Sequence, residues 1–286
     1  MLKLLERDIA AVHERLFVLA PLNASIPQPF RSITPSPSRH RELLRELQQL
    51  RGSVYLHDGA IAPEQLSADG LHQTPEDEKS WHLVILNAQR RVTGCIWYLE
   101  HDQPSLTRLR VHNCPLATSE HWRDALRRAV ESDIARARRE RIRYAEVGGW
   151  AVAPESRRTS EGLMLALGAY SLSQLTGGAL VVTTATARHS SSTILRRIGG
   201  AQLEADGTTL PAYYDPKYKC EMELLRFDSR RPSAKYAHLI DVLRYSLEKS
   251  EVIDSRDEAP FAETPVVEMP AHYNYVPHLR EPGFAA

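Results

Sequence analysis

At 286 residues, 42% apolar and 25% charged, the chain is long enough to bury a sizeable core as one large domain or as one domain with appendages. Thirty-six lysines and arginines balance 36 aspartates and glutamates, so no net field favours nucleic acid or a membrane surface, and partners must be read from local patches. The three cysteines, Cys95, Cys114 and Cys220, form no C-x-x-C pair, which argues against a disulfide framework or a structural zinc site and leads to the expectation of a reducing cytoplasm.

The first segment, MLKLLERDIAAVHERLFVLA, carries charges inside its apolar pattern, so it reads as an amphipathic helix and neither as a signal peptide nor as a membrane span. Five prolines between Pro21 and Ser38 mark an extended linker, and 1–39 forms an N-terminal appendage of helix plus linker. Leu43, Leu44, Leu47 and Leu50 predict a second helix that stops at Gly52. Strand-like runs follow in SVYLHDG, WHLVILNA and TGCIWYLEH, with SLTRLRVHN as a candidate fourth. A long helix is predicted from Ser119 to Arg143, capped by Thr118 or Ser119, with eight arginines against five acids and hence one basic face.

From there the order is strand AEVGGWAV, helix EGLMLALGAYSLSQL, strand GALVVTTAT, helix HSSSTILRRIGG, strands AQLE and YKCEMELLRF, and helix AKYAHLIDVLRYSLEK. Strand, helix and strand in close succession imply parallel pairing, while the earlier hairpins imply antiparallel pairing, so a mixed α/β sheet is expected. The main domain spans 40–228 and the C-terminal helix segment 229–254. The proline-rich and acidic tail 255–286 reads either as a strap on the body or as disorder.

The junction SRRTSEGLML lies where a strand turns into a helix. Unpaired N–H groups at a helix start, backed by the positive end of its dipole, make an anion site. Here Arg157 and Arg158 add charge, Thr159 and Ser160 hydroxyls, and Gly162 room for a close approach, with Glu161 beside the dipole. The competing reading is an ordinary helix capped by Ser156 or Thr159 with its arginines in solvent.

The element order over residues 40 to 227, with Arg157-x-x-Ser160-x-Gly162 after the fourth strand, resembles the GCN5-related N-acyltransferase (GNAT) superfamily. The resemblance implies a GNAT-type, mostly antiparallel sheet flanked by helices, with this turn wrapping the pyrophosphate of coenzyme A. Serine stands here in place of the family's first glycine. The long helix before YAEVGGWAV is similar to that of acyl-homoserine-lactone synthases and long-chain N-acyl amino acid synthases. In that comparison Glu146 occupies the position of their strand glutamate, and Arg51, Tyr55, Asp77 and Glu78 are counterparts on the acceptor side. Gly148-Gly149 replaces the serine–arginine pair of the autoinducer synthases, which points away from a lactone product.

An amine attacking a thioester must lose a proton, and Glu146 is the candidate base; its alternative role is a carboxylate paired with an arginine of the basic helix. Backbone N–H groups at Trp150, Ala151 and Val152 could stabilise the oxyanion. Many of these acetyltransferases protonate the leaving thiolate with a tyrosine, but that slot holds Leu195, so Tyr213 and Tyr214 become the candidates, against a role in packing. Ser190, in the SSST cap, is a candidate contact for the donor's pantetheine arm. His112-x-Cys114 reads as packing, and no metal site is expected.

The expected function is an N-acyltransferase taking an acyl group from acyl-CoA, acetyl-CoA or the phosphopantetheine of an acyl carrier protein to a small-molecule amine such as an amino acid. The serine in the turn and the basic face of 119–143 favour the carrier, against a solvated face paired internally. The alternative is a degenerate GNAT-fold protein that binds such a ligand as a sensor.

Overall fold

The computed structural model describes residues 14–157 and 159–257, apart from the side chain of His189. Its strands are β1 Leu16–Leu19, β2 Ser32–Pro35, β3 Trp81–Leu86, β4 Val92–His101, β5 Arg143–Val152 and β6 Ala179–Thr186. The short β7 Ala201–Gln202, β8 Glu204–Ala205, β9 Thr208–Thr209 and β10 Tyr213–Asp215 follow, then β11 Cys220–Asp228 and β12 Glu251–Asp254. The helices used below are α1 Pro37–His57, α2 Arg123–Glu140, α3 Glu161–Leu175, α4 Ser191–Arg197 and α5 Ala234–Lys249.

One mixed, mostly antiparallel sheet of ten strands runs β10-β11-β6-β5-β4-β3-β1-β12-β2, with β7 also on β11. Among the described residues only β5–β6, β1–β12 and β12–β2 pair in parallel. Alternate residues of β3 point to opposite faces: Leu83 and Ile85 join the core under α3 and α5, whereas Val84 and Leu86 join the core under α1. On that second face α2 buries Leu126, Val130 and Ile134 against Tyr144, Leu180 and Leu224. The sheet is therefore covered on both sides.

Several expectations are corrected. Leu16–Leu19, assigned to the end of an N-terminal helix, is a buried strand between β3 and β12; residues 1–13 of that helix lie outside the described residues. Four consecutive buried apolar residues carry no period, so pairing decides their conformation. The proline-rich linker contains β2 and ends where Pro37 opens α1, whose first turn needs no N–H from it.

Helix α1 runs through Gly52 to His57, so the run SVYLHDG is its final turn and not a strand. Gly52 serves contact there: a Cβ would lie 2.5 Å from the carbonyl oxygen of Gly70. SLTRLRVHN forms two 3₁₀ turns, Leu106–Arg108 and Arg110–Asn113; buried Leu109 between them and buried Val111 in the second imitate strand alternation. The segment 229–254, expected as the C-terminal helix, also holds β12 after that helix. Residues 258–286 of the tail lie outside the described residues.

Candidate functional site

The parallel ladder between β5 and β6 ends at Glu146 and Val182. Beyond it the two strands separate, and the Thr183 hydroxyl donates to the Val147 carbonyl at 2.7 Å across the point of divergence. On its other edge β5 contains a bulge: Ala151 pairs with Cys95 but Gly148 with Trp97, so three steps on one strand oppose two on the other. Two glycines make this fit. Gly149 has φ +63°, and a Cβ on either Gly148 or Gly149 would lie within 2.3 Å of the Trp97 indole.

The separation opens into a cleft of about 580 Å³, bounded by the splayed ends of β5 and β6, the starts of α3 and α4, and the last turn of α1. At its foot, Thr159 Oγ1 donates to the Ser156 carbonyl at 2.7 Å and accepts from the Glu161 N–H at 3.2 Å, which orders the turn into α3. Behind the divergence lies a smaller apolar chamber of about 30 Å³ lined by Ala169, Tyr170, Val181, Ile198 and Phe227. It shares Ile96, Val147, Thr183 and Leu195 with the cleft wall.

Trp150, Ala151, Val152, Arg157, Thr159, Gly162 and Ser190 all line the cleft, as does Glu146. Arg157 is already engaged by Asp58, with Nη2 at 2.9 and 3.0 Å from the two carboxylate oxygens. Arg158 lies outside the described residues. Ser160 occupies the N-cap position of α3, and Glu161 turns into the protein, buried, 3.1 Å from Arg15 Nη2.

Glu146 pairs with no arginine of α2. Its side chain is 3% exposed; Oε1 accepts the backbone N–H of Arg110 at 2.8 Å and Oε2 lies 3.0 Å from His101 Nε2. The carboxylate is thus fixed between two donors at the edge of the cleft. Two arginines of α2 pair elsewhere, Arg128 with Asp206 at 2.8 Å and Arg136 with Asp228 at 2.6 Å.

The tyrosine assignments need correction. Tyr213 is buried in the core under α2, and Tyr214, its neighbour on the strand, points the opposite way at 59% exposure; neither lines the cleft. The alternation of an edge strand sends the pair to its two faces. Tyr55 and Tyr218 are the tyrosines of the cleft wall, and Leu195 stands there without a hydroxyl.

The half of the cleft beside α1 is polar. Arg51 lines it and holds Asp77 at 2.6 and 2.7 Å, both buried. Burial opposes both charges, but each partner outweighs that cost, raising the Arg51 pKa and lowering that of Asp77. His72 is pushed down to about 4 by burial and by the charge of Arg51. Arg110 pairs with Glu76 at 2.6 Å and lies over the Trp97 ring at 5.6 Å. Glu78 is exposed and away from the cleft, while Cys114 packs in the core. Asp58, His72, Trp97, His101, Arg110, Arg188 and Tyr218 were not singled out from the sequence. Each reaches the site by folding from a distant segment, without a local motif to mark it.

Four buried side-chain atoms on this wall lack a hydrogen-bond partner: Arg51 Nε, His72 Nδ1, Thr74 Oγ1 and Trp150 Nε1. Among the described residues no group of histidine, cysteine and acidic side chains is arranged to hold a metal ion, and no helix is long and apolar enough to cross a membrane.

No family model and no curated protein matches the sequence. The solved structure of a CoA-dependent acyl-homoserine lactone synthase, BjaI, with SAM and isopentyl-CoA aligns over 86% of this chain and 94% of that one, at TM-score 0.53 and 16% identity. The fold is that of an acyl-homoserine lactone synthase. BjaI with MTA gives TM-score 0.51 at 17% identity over the same shares of both chains. FeeM, an N-acyl amino acid synthase from uncultured soil microbes, aligns over 68% of this chain and 88% of its own, at TM-score 0.43 and 13% identity. Within this fold the splay and its cleft lie between the parallel strands β5 and β6.

Proposed function

We propose that the protein is an N-acyltransferase that moves an acyl group from a pantetheine thioester to an amine bearing a carboxylate, as an amino acid does. The observation that carries this reading is the convergence, in one cleft, of a splayed strand edge, a helix N-terminal turn with Arg157, and the fixed carboxylate of Glu146. The solved structure of a CoA-dependent synthase of similar fold with SAM and isopentyl-CoA supports the donor class.

The pantetheine arm runs into the splay, with its phosphorylated end toward Arg157, Thr159 and Ser190. N–H groups on the open edge of β5 between Gly148 and Val152 face the thioester carbonyl and stabilise its oxyanion. The acyl chain enters the apolar chamber ending at Tyr170 and Phe227, whose 30 Å³ suits a short chain. The acceptor's carboxylate meets the polar wall beside α1, where Arg51 Nε and His72 Nδ1 lack hydrogen-bond partners.

The amine lone pair attacks the carbonyl carbon, and Glu146, held by His101 and the Arg110 N–H, takes the amine proton and later releases it to solvent. The tetrahedral intermediate collapses with cleavage of the C–S bond. Tyr218, which replaces Tyr213 and Tyr214 in this role, protonates the leaving thiolate and is reprotonated from solvent.

Thiol release on incubation with acyl-CoA or acyl carrier protein donors and a panel of amino acids tests the proposal. Amine-dependent release, lost in Glu146→Gln, is the expected result. Donor binding by folded protein without release from any donor would overturn it in favour of a sensor.

A further inference from the structure

Helix α1 ends at His57, and its C-cap is Asp58. A carboxylate there faces the negative end of the helix dipole, the least favourable place for an acid. The compensating charge comes from across the cleft mouth, 99 residues along the chain, where Arg157 Nη2 contacts both Asp58 oxygens. One nitrogen serves both contacts, in place of the parallel two-nitrogen fork of the strongest guanidinium–carboxylate pairing. The pair is only partly buried, Arg157 at 30% and Asp58 at 14% exposure, so solvent and ions reach it.

The main chain of Asp58 is held separately. Its carbonyl accepts from Arg188 Nη1, while Arg188 Nη2 donates to the Lys219 carbonyl at 3.1 Å. Both contacts are to neutral carbonyls, so the Arg188 charge stays available to the cleft it lines. The carboxylate and the carbonyl of Asp58 are thus engaged by different arginines, and exchange at Arg157 leaves the Arg188 contact to the end of α1 in place.

We propose that Asp58 is a specificity-determining residue for the donor: its carboxylate occupies the guanidinium of Arg157 until a donor phosphate takes its place. This rests on the reading of the cleft as the site of a pantetheine donor. The exchange sets a threshold. A phosphate group on the pantetheine, whether from coenzyme A or from an acyl carrier protein, displaces the carboxylate; pantetheine without phosphate has nothing to exchange and leaves the pair closed.

Calorimetric titration of coenzyme A, 4′-phosphopantetheine, holo acyl carrier protein and pantetheine into the full chain and its variants tests this. In Asp58→Asn the coenzyme A affinity is expected to rise about fivefold, the scale set by a modest, partly exposed ion pair. Asp58→Ser is the second uncharged variant should the first fold poorly. Arg157→Ala is expected to weaken binding, and adding Asp58→Asn to it should bring no recovery. A gain with all three phosphorylated probes supports exchange at their shared phosphate, and a gain with coenzyme A alone supports exchange at its pyrophosphate or 3′-phosphate. Unchanged or weaker coenzyme A binding in both Asp58 variants overturns the exchange, as does an equal gain with pantetheine. If Arg157→Ala still weakens binding in that case, the donor cleft stands without the gate. Absence of coenzyme A and carrier binding in every variant and the parent would sink both readings together.

Discussion

Arg51 and Asp77 meet twice inside the protein, at 2.6 and 2.7 Å, with side chains only 1% and 2% exposed. Gln48 and the Thr74 N–H complete the carboxylate's contacts at 3.0 and 2.9 Å. Removing one partner strands the other charge in a medium that cannot solvate it. Asp77→Asn and Arg51→Met are each expected to cost about 3–5 kcal/mol in urea unfolding. Arg51→Met with Asp77→Asn should cost less than the sum of the two singles; full additivity would mean the charges do not depend on one another.

Acid should act early on stability. His82 is buried and pushed down to about 4 by burial, although its Nε2 donates to the Asp77 carbonyl; His72 is lowered to about 4 as well. Their ordinary value is 6.5, so between 6.5 and 4 the unfolded chain binds protons that the native protein refuses. Stability is therefore complete above 6.5 and falls as pH drops toward 4, on the order of 3 kcal/mol for His82. Asp77, with its lowered pKa, adds a further loss below 3.8. A flat unfolding free energy from pH 7 to 4 would contradict the buried neutral imidazoles.

Glu146→Gln preserves shape and can still bond to His101 and Arg110, but it cannot accept the amine proton. Its turnover is expected to fall roughly 100-fold or more with coenzyme A affinity unchanged. Stopped-flow thiol release and equilibrium titration separate the two quantities, and an unchanged rate removes the base.

The two glycine positions at the cleft should behave differently. Ala at Gly149 needs φ +63° and places its Cβ 2.2 Å from Trp97 Cδ1, so Gly149→Ala is expected to lose about 2–5 kcal/mol in thermal unfolding. At Gly162 the added carbon would meet Val152 Cγ2 at 3.5 Å, an ordinary contact, and stability should change little. Similar losses at both would show that the bulge is not what requires glycine.

A short acyl donor should be favoured, because the chamber holds about one or two water-sized groups before Phe227 and Tyr170 close it. Phe227→Leu is expected to move the chain-length optimum of kcat/KM upward by about two carbons, each methylene being worth about 0.8 kcal/mol of burial. An optimum at long chains in the parent protein would place the acyl group elsewhere.

The signals that were local in the sequence matched the structure closely. EGLMLALGAYSLSQL became a helix with those bounds because its turn, cap and apolar run are contiguous. The position of the turn into that helix was legible for the same reason, since Ser156, Thr159 and Gly162 are neighbours in the sequence. Asp58 against Arg157 and His101 against Glu146 were not legible, being 99 and 45 residues apart with no periodic signature. Nor were β1, β2 and β12, each four residues long and stabilised by partners more than two hundred residues away. Tyr213 and Tyr214 misled because adjacency in sequence says nothing about which face of an edge strand meets the ligand.

Glu251–Asp254 lies between Leu16–Leu19 and Ser32–Pro35 and is the neighbour through which the second of these joins the sheet. During synthesis on the ribosome, Ser32–Pro35 therefore waits, unpaired, until residue 254 has emerged from the exit tunnel. Closure of this margin comes after translation of every residue that builds the cleft.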